Sequence, residues 1–158
     1  MKINYIKEVI RRVVDCYGTS NPEELIHAMD IKLGYLPNDT YINELKGCYG
    51  MVNGEKVILI HPDLDDMMRK VVCAHELNHA ILHPTTNALF LTTYTFVRLG
   101  TLELEADIGA SELLISDDKC YEYIGMEYSD IAYLEKVPVK YVELKVNSFL
   151  KRNSKIFK

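Results

Sequence analysis

The sequence lacks the cysteine patterns that define disulfide-rich proteins. It has four cysteines among 158 residues, and no two of them form a Cys-x-x-Cys pair. Their spacing indicates no disulfide framework. We therefore predict free thiols, buried as small apolar side chains, at Cys16, Cys48, Cys73 and Cys120.

An excess of positive charge is also absent. The formal net charge is −5 at pH 7, whereas proteins that bind nucleic acids non-specifically usually carry a clear basic excess. Basic residues gather only near the carboxyl end, at Lys145, Lys151, Arg152, Lys155 and Lys158. Direct nucleic-acid binding is therefore not the expected activity.

Long apolar segments are missing as well. No run approaches the roughly 20 residues that a membrane span requires. Charged Lys2, Lys7 and Glu8 stand where a signal peptide would have its apolar core. These absences predict a cytoplasmic protein with no membrane partner, and the length suits a single domain, residues 1–158.

What the sequence does contain is His-Glu-x-x-His, at His75, Glu76 and His79. On a helix the two histidines lie on one face, roughly 6 Å apart. Two neutral imidazoles at that spacing can bind one Zn²⁺ ion. Glu76 points toward the same edge, where it could hold and deprotonate an attacking water molecule. The pattern predicts one zinc ion per chain and a hydrolytic site.

The alternative is a helix whose histidines are merely partly buried polar residues. The flanking sequence does predict a helix, because Asp63 suits the N-cap, Asp66 suits the capping-box position and Pro84 ends the segment. Apolar residues recur between them at helical spacing, namely Met67, Val71, Ala74, Ile81 and Leu82. The two histidines are therefore expected in the carboxyl-terminal half of a helix.

A β-hairpin is predicted directly before this helix. Two β-prone runs, residues 47–52 and 55–60, flank Asn53-Gly54, which suits a tight type I′ turn. Residues 31–36 also resemble a strand. We predict an α+β fold in which a small antiparallel sheet packs on the histidine helix.

A third ligand is sought on a second helix, because a catalytic zinc usually takes three protein ligands. Thr101 suits the N-cap of a helix over 102–114, on which Glu103 and Asp107 share a face. Glu103 could bind the metal and Asp107 could accept a hydrogen bond from a ligating histidine. Glu105 would then face solvent. An acid-rich first helical turn also arises from helix-dipole stabilisation alone, so that explanation stays open.

Two further residues are candidates for substrate contact or oxyanion stabilisation. His83 lies about 12 Å along the helix from His75, too far to share the ion. It could bond nearby groups or shape a substrate subsite. Tyr94 belongs to the apolar, Thr-rich stretch 85–100, where periodicity does not decide between helix and strand. That stretch could line the cleft, or its aromatics could simply complete the core.

The carboxyl-terminal part is predicted to be helical. Ser116 and Ser129-Asp130 suit helix N-termini, and Pro138 opens a last helix. The final two helices resemble a helix-turn-helix hairpin. Such hairpins are common packing units, and the acidic Glu135 and Glu143 disfavour contact with a phosphate backbone.

Taken together, the chain resembles the ImmA/IrrE family of metallopeptidases. The matching residues are the hairpin, Ala74-His75-Glu76-Leu77-Asn78-His79 with Leu82-His83, and the Glu103-Leu104-Glu105-Ala106-Asp107 helix running into Glu112-Leu113-Leu114-Ile115. The resemblance implies a zincin-like fold with His75, His79 and Glu103 as zinc ligands and Glu76 as general base. Asn78 replaces the usual glycine, and Ile115-Ser116 replaces the usual Met-Pro.

The patterns along the chain predict three parts of one domain, with amino-terminal helices in residues 1–30, the sheet and zinc-binding core in 31–114 and carboxyl-terminal helices in 115–158. The family resemblance also implies an activity. The expected activity is cytoplasmic zinc-dependent cleavage of a regulatory protein, such as a helix-turn-helix repressor of a mobile element or stress response. The alternative is a metal-containing regulatory module that binds its partner with little proteolysis.

Overall fold

The computed structural model describes residues 3–41, 45–85 and 96–153. Its elements follow in the order α1 Ile3–Tyr17, α2 Pro22–Ala28, β1 Lys32–Tyr35, β2 Gly47–Val52, β3 Glu55–Ile60, α3 Asp66–Leu82, α4 Phe96–Leu114, α5 Asp117–Glu122, α6 Tyr128–Glu135 and α7 Val139–Asn153. Tyr94 lies outside the described residues, so its predicted role stays a prediction.

The hairpin predicted from Asn53-Gly54 is present. Strands β2 and β3 pair antiparallel with Val52 opposite Glu55. Asn53 and Gly54 both have positive φ angles, 51° and 84°, as a type I′ turn requires. The local sequence signal for this turn is confirmed.

The sheet as a whole is mixed rather than purely antiparallel. Its order is β1-β3-β2, and β1 pairs with β3 in parallel, Lys32 opposite Val57. Strand β3 lies between β1 and β2, and β1 and β2 run in opposite directions. The predicted α+β fold with a small sheet is confirmed. The expectation that this sheet is antiparallel is corrected by the parallel pairing of β1, which depends on a non-local connection.

Helix α3 begins two residues later than the predicted cap implies. Asp65 is the N-cap, and its Oδ1 accepts a hydrogen bond from the Met68 N–H at 2.7 Å. The chain turns first, since the Asp63 N–H donates to His61 Nδ1 at 3.1 Å. Asp63 therefore belongs to the turn that precedes the helix.

Two later helix starts also differ from the predictions. Helix α4 begins at Phe96, so Thr101 lies inside it rather than at its N-cap. Helix α6 begins at Tyr128 after Glu127, which makes no side-chain capping bond. By contrast, Ser116 caps α5 as predicted, with its side chain accepting from the Lys119 N–H.

Helix α3 is the centre of the packing. One side of it lies against α4, and another faces β2 and β3. A continuous buried apolar cluster runs from Ile6 and Ile10 of α1 through α3 to Phe149 of α7. This arrangement holds α3 between the sheet and the other helices. That residues 1–158 form a single domain stays a prediction.

Three of the four cysteines are buried and Cys16 is exposed, and all four are free thiols. Burial raises the pKa of Cys73 to about 12, so this thiol is unreactive at neutral pH. Among the helices of the described residues, none combines the length and apolar character needed to cross a membrane.

Candidate metal centre

Helix α3 brings the two predicted histidines together. His75 Nε2 and His79 Nε2 lie 3.1 Å apart, and their rings meet edge to face with centroids 4.8 Å apart. Their side chains are 16% and 11% exposed. The four-residue spacing places both rings on the same face of a buried helix, as the helical period requires.

Helix α4 adds Glu103 to this pair. Its Oε2 lies 3.2 Å from His75 Nε2, and its Oε1 lies 3.3 Å from His79 Nε2. Candidate ligand atoms of the three residues all lie within 4.8 Å of one another. In a tetrahedral zinc site with bonds of roughly 2.0–2.1 Å, ligand atoms are separated by about 3.3 Å. The observed distances between the donor atoms therefore fit a metal ion of the size of zinc.

Asp107 supports His75 from the opposite side of the ring. His75 Nδ1 donates a hydrogen bond to Asp107 Oδ1 at 2.9 Å. The proton on Nδ1 leaves Nε2 with a lone pair, which is the form that binds a metal. The contact expected of Asp107 from its helical spacing is therefore present.

Two residues of α7 complete this support, and sequence reasoning missed both. Tyr141 donates its hydroxyl proton to Asp107 Oδ1 at 3.1 Å, and Lys140 Nζ lies 3.0 Å from Asp107 Oδ2. Tyr141 is only 4% exposed. They lie more than 30 positions along the chain from Asp107, and nothing in their own pattern distinguishes them from ordinary residues of an amphipathic helix.

The electrostatics of the cluster favour a cation. Burial lowers the pKa of His75, but contact with Asp107 and Glu103 outweighs it and raises that pKa to about 9. Contact with the His75 and His79 imidazoles lowers the pKa of Glu103 far below its usual value. The acidic surroundings that hold a proton on a histidine also stabilise a divalent cation at the same place.

Glu76 lies next to these groups and is 7% exposed. Burial raises the pKa of its carboxyl group, while the neighbouring histidines lower it. A carboxylate with a raised pKa is a stronger base. Glu76 and His75 open onto a cavity of about 480 Å³, whose apolar wall includes Met68, Val71 and Val72.

His83 stands apart from the three donor atoms. Its Nε2 donates to Glu105 Oε2 at 2.9 Å, and burial lowers its pKa to about 4. Glu105 is only 27% exposed, so the expectation that it faces solvent is wrong: α4 lies against the end of α3, which sequence spacing alone does not show. His83 is thus held by Glu105, and a role in substrate contact stays a prediction.

Comparisons with known proteins agree with this geometry. Residues 23–147 match the peptidase M78 family, described as the IrrE N-terminal-like domain. The chain is 36% identical to uncharacterized immunity region protein 2 of Bacillus phage phi105, over 92% of each chain. It is 28% identical to metallopeptidase ImmA of Bacillus subtilis (strain 168), over 96% of this chain and 90% of that protein.

An α+β fold that brings two histidines and a glutamate around one point has the ligand set found in catalytic zinc sites of metallopeptidases. The extent of the family match makes the assignment specific. The chain belongs to the peptidase M78 family of IrrE N-terminal-like domains, and its fold is zincin-like. The family implies a metal ion, and the two nitrogen donors and one carboxylate of this structure fit one.

Proposed function

We propose that this protein is a zinc-dependent endopeptidase that hydrolyses a peptide bond in a regulatory protein, a helix-turn-helix repressor. The observation that carries the proposal is the convergence of His75, His79 and Glu103 beside buried Glu76, at the edge of a cavity. Three protein donors that leave one position open are typical of catalytic zinc sites, whereas structural sites are closed by four.

Zinc is the proposed metal because of the donor chemistry. Two imidazole nitrogens and one carboxylate oxygen suit Zn²⁺, while Mg²⁺ and Ca²⁺ prefer oxygen ligands alone. His75 and His79 supply the nitrogens, and Glu103 supplies the oxygen together with a negative charge. Asp107 holds the His75 ring in the orientation that presents Nε2.

The chemistry divides between the ion and the chain. A bound zinc ion supplies a Lewis acid that polarises the scissile carbonyl and makes water a nucleophile near neutral pH. The Glu76 carboxylate takes the proton of that water and delivers it to the leaving amine nitrogen. Burial of Glu76 raises its pKa, which strengthens it as a base. The apolar wall of the cavity excludes bulk water from one side of the reacting groups.

A regulatory substrate is proposed from the relatives. One relative is named an immunity region protein of a phage and another is named a metallopeptidase. A repressor substrate would place this protein in the cytoplasm. Three of the four basic side chains of α7, namely Lys140, Lys145 and Arg152, are engaged in internal ion pairs, which supports action on protein rather than DNA.

The first test separates cleavage from simple binding. Glu76→Gln keeps the shape of the side chain and leaves the three donors intact. We expect one zinc per chain by elemental analysis in both proteins. We also expect proteolysis to fall at least about 100-fold in the variant, since general-base catalysis contributes about that much or more.

Proteolysis is measured as new amino termini in cells that produce each protein, identified by mass spectrometry. Full activity of Glu76→Gln would exclude the mechanism. The same cellular phenotype without any new amino terminus in either strain would favour the metal-containing binding module.

The second test identifies the third ligand. Glu103→Gln and Glu105→Gln make the same chemical change two positions apart on α4. Only Glu103 contacts the two histidines, whereas Glu105 pairs with His83. We expect markedly weaker zinc binding in Glu103→Gln alone. A wild type that takes up no zinc on titration would refute the zinc peptidase proposal.

A further inference from the structure

Asn78 occupies an unusual position for an amide. It lies one residue before His79 on α3 and is fully buried. Its Nδ2 donates a hydrogen bond to the Ala74 carbonyl oxygen of the same helix at 2.8 Å. Its Oδ1 is buried without a hydrogen-bond partner among the described residues. The amide is therefore held in one orientation by its own helix.

The backbone of α4 passes directly over this amide at Gly109. A Cβ atom added to Gly109 would lie 1.9 Å from Asn78 Oδ1 and 2.6 Å from Asn78 Cγ. Glycine destabilises a helix interior relative to alanine, yet no side chain fits at this position. A Cα hydrogen of Gly109 instead points toward the unpaired Oδ1, a weak contact that is common where helices approach closely.

This contact joins the two helices that carry the metal centre. On α3, Asn78 adjoins His79. On α4, Gly109 follows Asp107 by two residues and Glu103 by six, about 9 Å along the helix. The separation of the helices at Asn78 and Gly109 therefore determines how far Glu103 and Asp107 lie from the two histidines.

The tolerance of a metal site makes that separation important. Bond lengths in a working site lie within about 0.2 Å of their ideal values. A methyl group on Gly109 would have to move from 1.9 Å to an ordinary contact of 3.4 Å from Asn78. The two helices, or the Asn78 amide, would have to move by much more than the variation in bond length that the metal site tolerates.

We propose that Asn78 and Gly109 form a size-matched pair of positioning residues that sets the α3–α4 spacing and so holds Glu103 and Asp107 in register with His75 and His79. The proposal rests on the proposed zinc site. It assigns a role to the residue that stands where the resembled family usually has glycine: the extra volume of Asn78 is accommodated by the absence of a side chain at Gly109.

The test is a rescue experiment with Zn²⁺ as the probe. Zinc affinity is measured by competition with a fluorescent chelator for wild type, Gly109→Ala, Asn78→Gly and the double variant. We expect Gly109→Ala to bind zinc at least about 10-fold more weakly, the size of effect seen when groups that orient metal ligands are altered. The double variant should recover to within about 3-fold of Asn78→Gly, because the new methyl group occupies the space of the lost amide.

Gly100→Ala is the matched control. Gly100 lies in the same helix and is exposed, and a Cβ added to it would meet no other group of the described residues within 4 Å, its chain neighbours and its own helix backbone aside. It should bind zinc as the wild type does. Circular dichroism and thermal unfolding of the metal-free chains separate stability from affinity, since a contact that only stabilises the fold would lower the unfolding temperature without changing the zinc affinity of the folded chain.

Several results would overturn the proposal. Wild-type zinc affinity in folded Gly109→Ala would do so, as would a double variant that recovers neither folding nor affinity. If Gly109→Ala alone does not fold, a double variant that folds and binds zinc still supports the size match. Equal zinc affinity in all variants would refute only the positioning role of Asn78 and Gly109. A wild type without zinc affinity would refute the proposed function as well.

Discussion

Replacing Asp107 tests whether the hydrogen bond to His75 matters for metal binding. Asp107 Oδ1 accepts from His75 Nδ1 at 2.9 Å and from the Tyr141 hydroxyl at 3.1 Å, and Lys140 Nζ lies 3.0 Å from Oδ2. Asp107→Asn keeps the size of the side chain and one acceptor oxygen, but removes the charge. Asp107→Ala removes the acceptor altogether and leaves the His75 ring without its support.

The expected magnitudes follow from these contacts. Loss of a group that orients a ligating histidine weakens metal binding by about 10- to 100-fold, or roughly 1.4–2.7 kcal/mol. Asp107→Asn should lie near the lower end, because the amide oxygen can still accept from His75 Nδ1. Asp107→Ala should lie near the upper end, because nothing then fixes the tautomer of His75.

The assay is competition between the protein and a fluorescent zinc chelator at neutral pH. Asp118→Asn is the control, since Asp118 is an exposed residue on α5 and receives the same chemical change. Its zinc affinity should equal that of the wild type. If folded Asp107→Ala binds zinc as tightly as the wild type, His75 does not depend on Asp107 and the assignment is wrong. A similar loss in Asp118→Asn would show a non-specific effect of charge.

Two further predictions concern the ion pairs that hold α7 to α4 and α5. Lys145 is 1% exposed and bonds Glu112 and Asp117 at 2.6 and 2.7 Å. We expect Lys145→Met to lower the free energy of unfolding by about 3 kcal/mol in urea titrations, because it leaves the buried Glu112 carboxylate short of a partner. The exposed control Lys151→Met should change the free energy of unfolding little, and equal effects of the two substitutions would contradict this role of Lys145. Burial raises the pKa of Asp117, but hydrogen bonds from Lys145 and Lys7 outweigh it and hold that pKa at about 2. The stabilisation by ionised Asp117 should therefore be complete above about pH 4 and be lost as the pH falls through 2. The wild type should be more stable than Asp117→Asn at neutral pH, and this difference in stability should shrink in acid. A difference that does not change with pH would refute the stabilising role of the Asp117 carboxylate.

The parts of this protein that short-range interactions determine could be predicted from its sequence. The four-residue spacing of His75 and His79 places them on one helix face because of the helical period alone. Asn53-Gly54 closes a type I′ hairpin because both residues tolerate positive φ angles. The Ser116 cap likewise depends on a backbone N–H only three residues away.

Other features of this protein depend on contacts between distant segments and could not be predicted from local patterns. The parallel pairing of β1, the support of Asp107 by Tyr141 and the partnership of Glu105 with His83 have no local signature. The sequence placed Glu103 and Asp107 on one helix face, but the distance from that face to the histidines depends on how closely α3 and α4 pack. Close packing is set by the fit of whole surfaces, as at Asn78 and Gly109, where the shape of one residue has meaning only against another 31 positions away.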